Sequence, residues 1–369
     1  MELILEKLQI NNFKNIHQLY LEPHHKINCI VGLNGAGKTN ILDAIFYLSF
    51  TKNFIPLSDN QNILQGQNFF MLKGTYKRNA SKEQILITYQ KEKKIVKRNE
   101  KRYKRLSSHI GLIPAIIIAP DDIKLIIGGG EERRRLMDII ISQTDIKYLN
   151  TLSQYKKILQ HRNKLIKTFA SNKNIDYESL ELWDEQLVQA ANYIYQKRKE
   201  FINELIPKIQ SYYNILSGEQ EKINISYRSH LNNSELRLLL KENLKRDLAL
   251  EYTFFGIHRD DLDLLINNNP IKKFGSQGQQ KSFLIAMKFA QHDFIRNHLK
   301  INPLLLLDDI FDKLDPIRVE KLVHIVSKNK FGQIFITHTN EKRIKEILQT
   351  LNLDYKIFLI NHGSTVKIL

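Results

Sequence analysis

Gly32 to Thr39 reads GLNGAGKT and matches the pattern G-x-x-x-x-G-K-[ST] at every fixed position. The residues before it, Ile27 to Val31, are mostly apolar and include β-branched side chains, which is typical of a buried strand. From Asn40 to Ser49, apolar residues recur at the spacing of a helix. A strand, a glycine-rich turn and a helix in this order predict a phosphate-binding loop. The alternative is a glycine-rich turn that ends in Lys-Thr and binds nothing.

The residue types in this loop suit a chain of phosphates. Glycines let the backbone curl so that several N–H groups face one anion at the positive end of a helix. Lys38 supplies a positive charge for the outer phosphates, and the Thr39 hydroxyl can bind Mg²⁺. The predicted ATP-binding residues of the loop are Gly32, Leu33, Asn34, Gly35, Ala36, Gly37, Lys38, Thr39 and Asn40.

The charge balance of the chain predicts a polyanionic partner. Its 369 residues include 56 Lys and Arg against 39 Asp and Glu, which gives a formal net charge of +17. Such an excess favours nucleic acid or an anionic membrane surface. The amino-acid usage of AT-rich genomes explains why Lys outnumbers Arg, but it does not explain the excess of bases over acids.

Other features of the sequence predict a cytoplasmic protein without a membrane partner. The single cysteine, Cys29, cannot form a disulfide within the chain, and its apolar neighbours predict a core position. The N-terminal residues include Glu2 and Glu6 and lack the basic start and long apolar run of a signal peptide. The longest apolar runs are too short to cross a bilayer.

The middle of the chain predicts a helical hairpin. Between residues 148 and 216, apolar side chains alternate at intervals of three and four on both sides of a polar turn at Ser171 to Asp176. This spacing is typical of a short antiparallel coiled coil. Pro207 is expected to kink or end the second helix.

Two basic stretches are candidates for DNA contact. Lys91 to Arg105 contains nine Lys and Arg against two acids, and Arg133 to Arg135 follows two glutamates. Basic side chains in either stretch could bind the phosphate backbone. The alternatives are a solvated hairpin for the first stretch and ion pairs with neighbouring carboxylates for the second.

The stretch from Phe274 to Lys281, FGSQGQQK, precedes a predicted helix. It resembles the signature motif of ABC-type ATPases, in which a serine, a glycine and a helix N-terminus contact the γ-phosphate bound by another subunit. Ser276, Gly278 and Gln279 are therefore candidate ATP contacts.

Two later strands end in polar side chains. Four leucines lead into Asp308, which is placed like the Walker B acid that holds Mg²⁺, and Asp309, which is a candidate for the base that polarises water. Most such ATPases have Glu at the second position, so the shorter Asp309 predicts slow or conditional hydrolysis. Phe311 to Asp315 is the candidate D-loop. The second strand ends at His338, a candidate γ-phosphate contact that could instead be structural.

Together these stretches resemble the RecF family of the ABC/SMC ATPase superfamily from end to end. The order and spacing of several short motifs carry this resemblance: Ile10 to Asn15, Asn34 to Asn40, Ala119 to Asp122, Glu132 to Arg135, Gln160 to Asn163, Gly256 to Asp261, Ser276 to Gln280 and Leu305 to Asp309.

The resemblance implies an α/β fold built on an ABC-type ATPase head. The head has a parallel-sheet phosphate-loop core and an antiparallel β subdomain, and a mainly helical lobe with the coiled-coil hairpin is inserted into it. The expected divisions are residues 1–113 for the N-terminal part of the ATPase lobe, 114–250 for the helical lobe, and 251–369 for the C-terminal part of the ATPase lobe.

The resemblance also implies a function in DNA repair. Members of this family bind ATP and Mg²⁺, form a head-to-tail homodimer around two ATP molecules, and clamp double-stranded DNA, including single-/double-strand junctions at gaps. With RecR and RecO they promote the loading of RecA onto single strands. The alternatives are an ATP-binding subunit of a transporter, which predicts a membrane partner, and an SMC-like structural subunit with a vestigial ATP site.

Overall fold

The computed structural model describes residues 2–172, 176–218, 221–311, 315–328, 331–351 and 354–368. These residues divide into two compact units. The first unit contains Met1–Asp122, Tyr212–Glu219 and Lys281–Leu369, and the second contains Ile123–Ser211 and Gln220–Gln280. The chain therefore enters the second unit after the phosphate-loop region and returns to the first before Asp308.

The strands and helices are numbered in chain order. The strands are β1 (Leu3–Phe13), β2 (Ile16–Leu21), β3 (Ile27–Val31), β4 (Phe69–Arg78), β5 (Ser81–Gln90), β6 (Lys93–Arg98), β7 (Lys101–Arg102), β8 (Ala115–Ile118), β9 (Ile223–Arg228), β10 (Asp261–Ile266), β11 (Asn269–Pro270), β12 (Leu304–Leu307), β13 (Ile334–His338), β14 (Tyr355–Asn361) and β15 (Ser364–Ile368). The helices are α1 (Lys38–Phe50), α2 (Lys124–Ile127), α3 (Gly130–Thr144), α4 (Ile146–Asn172), α5 (Tyr177–Ser217), α6 (Leu236–Glu242), α7 (Leu244–Leu250), α8 (Ile271–Phe274), α9 (Gln277–Leu299), α10 (Pro316–Lys328) and α11 (Glu341–Leu351).

A mainly parallel sheet forms the core of the first unit. Its strand order is β15-β14-β3-β13-β12-β8, and only the β14–β15 pair is antiparallel. Every residue of β3, β8, β12 and β13 is buried, because central parallel strands are covered on both faces. The carboxyl ends of β3, β13 and β12 therefore lie side by side. This sheet confirms the predicted parallel core, and Cys29 is buried in β3 as expected.

An antiparallel sheet with strand order β2-β1-β4-β5-β6-β7 forms the rest of the strand structure of the first unit. Its β4–β6 meander confirms the predicted antiparallel subdomain. Helix α1 contacts strands of both sheets, so nearly all of its side chains are buried. The two sheets are also joined where the Gln333 side chain hydrogen-bonds the backbone of Leu5 in both directions, at 2.7 and 3.0 Å.

The predicted helical hairpin is present as α4 and α5. Side chains pair along its length, with Tyr148 bonded to Arg198 at one end and the Arg162–Asp184 ion pair further along. Phe169 and Leu180 pack together beside the turn, so the two helices are antiparallel. Pro207 lies inside α5, which continues to Ser217, so this proline does not end the helix, and the alternative of a kink stays a prediction.

The second unit also contains a three-stranded sheet with strand order β11-β10-β9. Strand β10 lies after residue 250, where the C-terminal ATPase part was expected to begin. Its partner β9 lies before residue 250. Residues 251–280 therefore belong to the second unit. Two short helices, α6 and α7, follow β9 instead of one longer helix, because the chain leaves the helical conformation at Asn243.

Candidate nucleotide-binding site

The predicted phosphate loop connects β3 to α1 and depends on its glycines. Gly35 and Gly37 have φ angles of +80° and +104°, a region that side chains with a Cβ rarely adopt. A Cβ on Gly32 would lie 2.4 Å from the carbonyl oxygen of Ile360. The loop therefore has the curled backbone that the motif predicts.

Asn15 anchors the loop from the β1–β2 turn. Its Nδ2 donates to the Gly35 carbonyl at 3.0 Å, and its Oδ1 accepts from Nδ2 of Asn40 at 2.7 Å. The Gly363 N–H donates to the Ala36 carbonyl at 2.8 Å. Sequence reasoning did not assign these anchors. The only available signal was the position of Asn15 in one of the family-like motifs.

Lys38 spans the loop. Its Nζ donates to the carbonyl oxygens of Gly32 and Leu33, at 3.0 and 3.1 Å, and the residue is only 4% exposed. Leu33, Asn34 and Gly35 are exposed, whereas Ala36 is buried. The ammonium group is thus held against the backbone of the loop.

Thr39 and Asp308 meet at the end of the sheet although 269 residues separate them. The Thr39 Oγ1 lies 3.0 Å from both carboxylate oxygens of Asp308. Asp308 is 5% exposed, and burial raises the pKa of its carboxyl group, although hydrogen bonds from Thr337 and Thr39 oppose that rise. The structure thus brings these two side chains together, and their role as magnesium ligands stays a prediction.

Thr337, at the penultimate position of β13, supports both acids. Its hydroxyl donates to Oδ1 of Asp308 at 2.7 Å and accepts from the backbone N–H of Asp309 at 2.9 Å. Asp309 has a φ of +44°, and its Oδ1 is buried without a hydrogen-bond partner among the described residues. Such an oxygen is available to a bound water molecule.

We expect Thr337→Val to lower the free energy of unfolding by about 1–3 kcal/mol, because it leaves the backbone N–H of Asp309 without its partner and removes one of the two hydrogen bonds to Oδ1 of Asp308. Denaturant unfolding followed by far-ultraviolet circular dichroism measures this change. Thr337→Ser retains the hydroxyl and is the matched control. If both variants unfold at the same denaturant concentration, the hydroxyl is not the supporting group.

His338, the predicted γ-phosphate contact, is the last residue of β13 and is 1% exposed. Its Nδ1 accepts a hydrogen bond from the backbone N–H of Asn340 at 2.8 Å. This bond orients the ring at the strand end. The geometry agrees with the structural alternative as well as with the functional one, so the contact stays a prediction.

The signature-like residues lie in the second unit, where α9 begins. Ser276 and Gln279 form reciprocal bonds: the Ser276 Oγ accepts from the Gln279 N–H at 3.2 Å, and the Gln279 Oε1 accepts from the Ser276 N–H at 2.6 Å. This is a capping box that fixes the helix N-terminus. Gln279 also donates to Glu221 at 2.6 Å. Ser276 is exposed and Gly278 is half-buried, so a ligand can reach the helix end.

The structure reduces the set of candidate DNA contacts. Arg133 is 7% exposed and pairs with Asp261, and Arg134 donates to the Asp260 carbonyl, so the ion-pair alternative is correct for Arg133. In the basic hairpin of β6 and β7, Lys94 pairs with Asp59, and Arg98 pairs with Glu83. The exposed basic side chains of that stretch are Lys91, Lys93, Lys101, Arg102, Lys104 and Arg105.

Residues 312–314 of the candidate D-loop lie outside the described residues.

Comparison with known proteins identifies the family. A model of the family described as the RecF/RecN/SMC N terminal domain matches residues 4–360. The DNA replication and repair protein RecF of Flavobacterium johnsoniae is 46% identical over 96% of this chain and 99% of its own length. This chain belongs to the RecF family of ABC/SMC ATPases. The RecF of Bacteroides fragilis strain YCH46 is 45% identical over 98% of both chains.

Solved structures show the same RecF fold. A RecF–ATP complex, described as a recombination mediator of the RecFOR pathway, has a TM-score of 0.89 and 28% identity, with 100% of this chain and 98% of that chain covered. A Pyrococcus furiosus Smc head shares the fold, with a TM-score of 0.58 and 17% identity over 100% of this chain and 96% of that one. In the part of the chain that the structure describes, no helix has the length and apolar character needed to span a membrane.

Proposed function

We propose that this chain is an ATP-gated DNA-binding protein of gap repair that hydrolyses ATP slowly. The observation that carries the proposal is the meeting of Thr39 and Asp308 beside Lys38 and the glycine loop, since it assembles a phosphate site from both ends of the chain. The names of the RecF relatives and the ATP-bound RecF structure support this function over a transporter subunit. The intact ATP site also argues against the alternative of an SMC-like structural subunit whose ATP site is vestigial.

The residues present fit ATP and Mg²⁺. Thr39 and Asp308 offer a hydroxyl and a carboxylate, both hard oxygen donors, and Mg²⁺ usually completes its shell with water and substrate phosphates. The described residues hold no group of three acidic or histidine ligands, which agrees with a cation that depends on the nucleotide. When bound, the ion would neutralise phosphate charge. Lys38 and the loop N–H groups would orient the phosphates, and Asp309 would hold the attacking water.

The signature-like helix end supplies the reason for gating. Ser276 and Gly278 belong to the second unit, whereas the phosphate loop belongs to the first. In the proposed homodimer, each α9 N-terminus contacts the γ-phosphate on the partner, so ATP binds most tightly to the dimer and shifts the equilibrium toward it. The dimer would hold double-stranded DNA and single-/double-strand junctions against its exposed basic side chains. RecR and RecO are the proposed protein partners, and RecA loading is the proposed outcome.

The experiment measures duplex affinity by fluorescence anisotropy and mass by light scattering, with and without ATP and Mg²⁺. We expect ATP to tighten duplex binding about tenfold, a coupling of about 1.4 kcal/mol, and to produce dimers. Lys38→Ala and Ser276→Arg are expected to lose both effects. Ser234→Arg adds the same charge at an exposed serine of the same unit and is the control. Dimers and ATP-tightened binding that persist in Lys38→Ala would contradict the proposal.

A further inference from the structure

We propose that a surface cluster of exposed arginines and half-buried aromatic rings in the second unit binds single-stranded DNA through its bases. This cluster, the stacking surface, consists of Tyr252, Phe254, Phe255, Arg246 and Arg259. The inference rests on the proposed DNA-binding function and assigns the single-stranded side of a junction to named residues. It does not involve the nucleotide site.

The planar groups of the stacking surface lie close to one another. The guanidinium carbon of Arg246 lies 3.5 Å from the centre of the Phe254 ring, and that of Arg259 lies 5.2 Å from the Tyr252 ring. Phe254 and Phe255 meet edge to face with centroids 5.0 Å apart. The aromatic rings are half-buried, whereas both arginines are exposed. Each guanidinium thus lies near an aromatic ring and belongs to an exposed side chain.

The positive charge of the stacking surface is not neutralised by neighbours. Among the residues that the structure describes, neither Arg246 nor Arg259 forms an ion pair with an acid. Glu251, the exposed acid of the same segment, is 3.8 Å from Lys167. Two ordered guanidinium groups without acidic partners form a site for an anion.

Two buried arginines hold the backbone that displays this surface. The side chain of Arg162 is fully buried and donates to Asp247 and to the Thr253 hydroxyl, both at 2.7 Å. Asp247 follows Arg246, and Thr253 precedes Phe254. Arg198, 2% exposed, donates to the Ile257 carbonyl at 2.8 Å and to Asp260 at 2.7 Å, on either side of Arg259.

Burial of a guanidinium group carries a large desolvation cost, so these pairs give the segment a defined conformation rather than a large gain in stability. The Asp247 carboxylate also accepts the backbone N–H of Phe254 at 2.9 Å. The surface side chains are therefore attached to a rigid frame. A preorganised frame lowers the entropy that a ligand must lose on binding.

The chemistry of the surface selects single-stranded nucleic acid. Unpaired bases stack on aromatic rings and on guanidinium planes, and the arginine N–H groups can reach the adjacent phosphates. In a duplex the base faces are already stacked on one another, so only edges and phosphates are accessible. An acidic peptide would use the guanidinium edges but has no flat groups to match the rings.

The test uses a fluorescein-labelled oligothymidylate of about 15 nucleotides, within the range of known single-strand sites, and the full chain without nucleotide. We expect Arg246→Lys, which keeps the charge but loses the planar group, to weaken binding about tenfold. Phe254→Leu, which keeps apolar volume, is expected to do the same. Arg237→Lys, at an exposed arginine of the neighbouring helix α6, is the matched control and is expected to change affinity less than about twofold.

Lys38→Ala is expected to bind the oligothymidylate like the wild type. Arg246→Lys is expected to keep ATP-tightened duplex binding. The two measurements therefore test the stacking surface and the ATP-gated duplex binding separately. The stacking surface would be overturned if the wild type fails to bind the oligothymidylate, or if Arg246→Lys and Arg237→Lys bind it equally well. An oligoglutamate that displaces the oligothymidylate at equal charge would also overturn it, because the site would then recognise acidic peptides.

Discussion

Replacement of Asp309 by Asn is expected to lower the rate of ATP hydrolysis by about 100- to 10,000-fold, the range for losing a general base. The carboxylate follows β12 directly after Asp308, and its buried Oδ1 has no hydrogen-bond partner among the described residues. An amide of the same shape cannot accept a proton from water. ATP binding is expected to persist, because Lys38, the loop N–H groups and Thr39 are unchanged.

Asn is also the appropriate replacement because it tolerates the backbone conformation of Asp309. Asp309 has a φ of +44°, a left-handed conformation that Asn and Asp tolerate better than most residues. Phosphate release at saturating ATP and Mg²⁺ measures the rate, and a fluorescent ATP analogue measures affinity. Asp263→Asn removes one charge from an acid with a 45% exposed side chain in the other unit and is the control. Hydrolysis by Asp309→Asn at the wild-type rate would assign the base to another group.

Local sequence pattern predicted the centre of the first unit well. Continuous apolar runs identified β3, β12 and β13, because strands buried on both faces must be apolar throughout. The glycine loop and the acids after β12 each follow one of these strands. Parallel pairing places the carboxyl ends together, and this explains why Thr39 and Asp308, each predicted from its own motif to bind Mg²⁺, are neighbours.

Contacts between distant polar side chains were not predictable in the same way. Nothing local to Asn15 indicates that its amide holds Gly35, and nothing near Arg162 indicates a partner at Asp247. A buried arginine and an exposed one look alike in sequence, since only the tertiary fold decides which carboxylate it meets. Arg133 illustrates the point, because the same basic run predicts DNA contact and an ion pair equally.

The compact units divide the chain at other residues than the predicted domains, for a related reason. The sequence pattern predicts where a strand lies, but it does not indicate which other strand it pairs with. Strand β10 follows the aromatic segment near residue 254 and was assigned to the ATPase lobe, yet it pairs with β9 along its length. Pro207 was expected to kink or end α5, and the helix does not end there. Tertiary context overrides the local preference in both cases.

Arg162→Met is expected to lower the free energy of unfolding of the second unit by about 3–5 kcal/mol. The guanidinium group is fully buried between Asp184 and Asp247, at 2.5 and 2.7 Å, and its removal leaves two carboxylates without their cation. Methionine fills a similar volume, so loss of the charge dominates over loss of packing. The exposed Arg237–Glu185 pair supplies the control, because Arg237→Met is expected to cost less than about 1 kcal/mol.

Trp183, the only tryptophan, reports on this unit directly. It stacks on His161, with ring centroids 4.8 Å apart, and both residues are adjacent in sequence to the Arg162–Asp184 pair. Its fluorescence during denaturant unfolding therefore measures the stability of the second unit, whereas far-ultraviolet circular dichroism follows both units. A variant that shifts only the circular dichroism signal would place the destabilisation elsewhere.

The loss of unfolding free energy caused by Arg162→Met is expected to depend on pH. Burial already raises the pKa of Asp184, and the hydrogen bond and charge of Arg162 oppose that rise. Without Arg162 the pKa rises further, and a carboxyl group with a raised folded-state pKa contributes stability that is lost as pH increases through that value. The difference in unfolding free energy between Arg162→Met and the wild type should therefore become smaller as pH falls from about 8 toward 5. A gap that stays constant over this range would show that lost packing, rather than an unpaired carboxylate, causes the destabilisation.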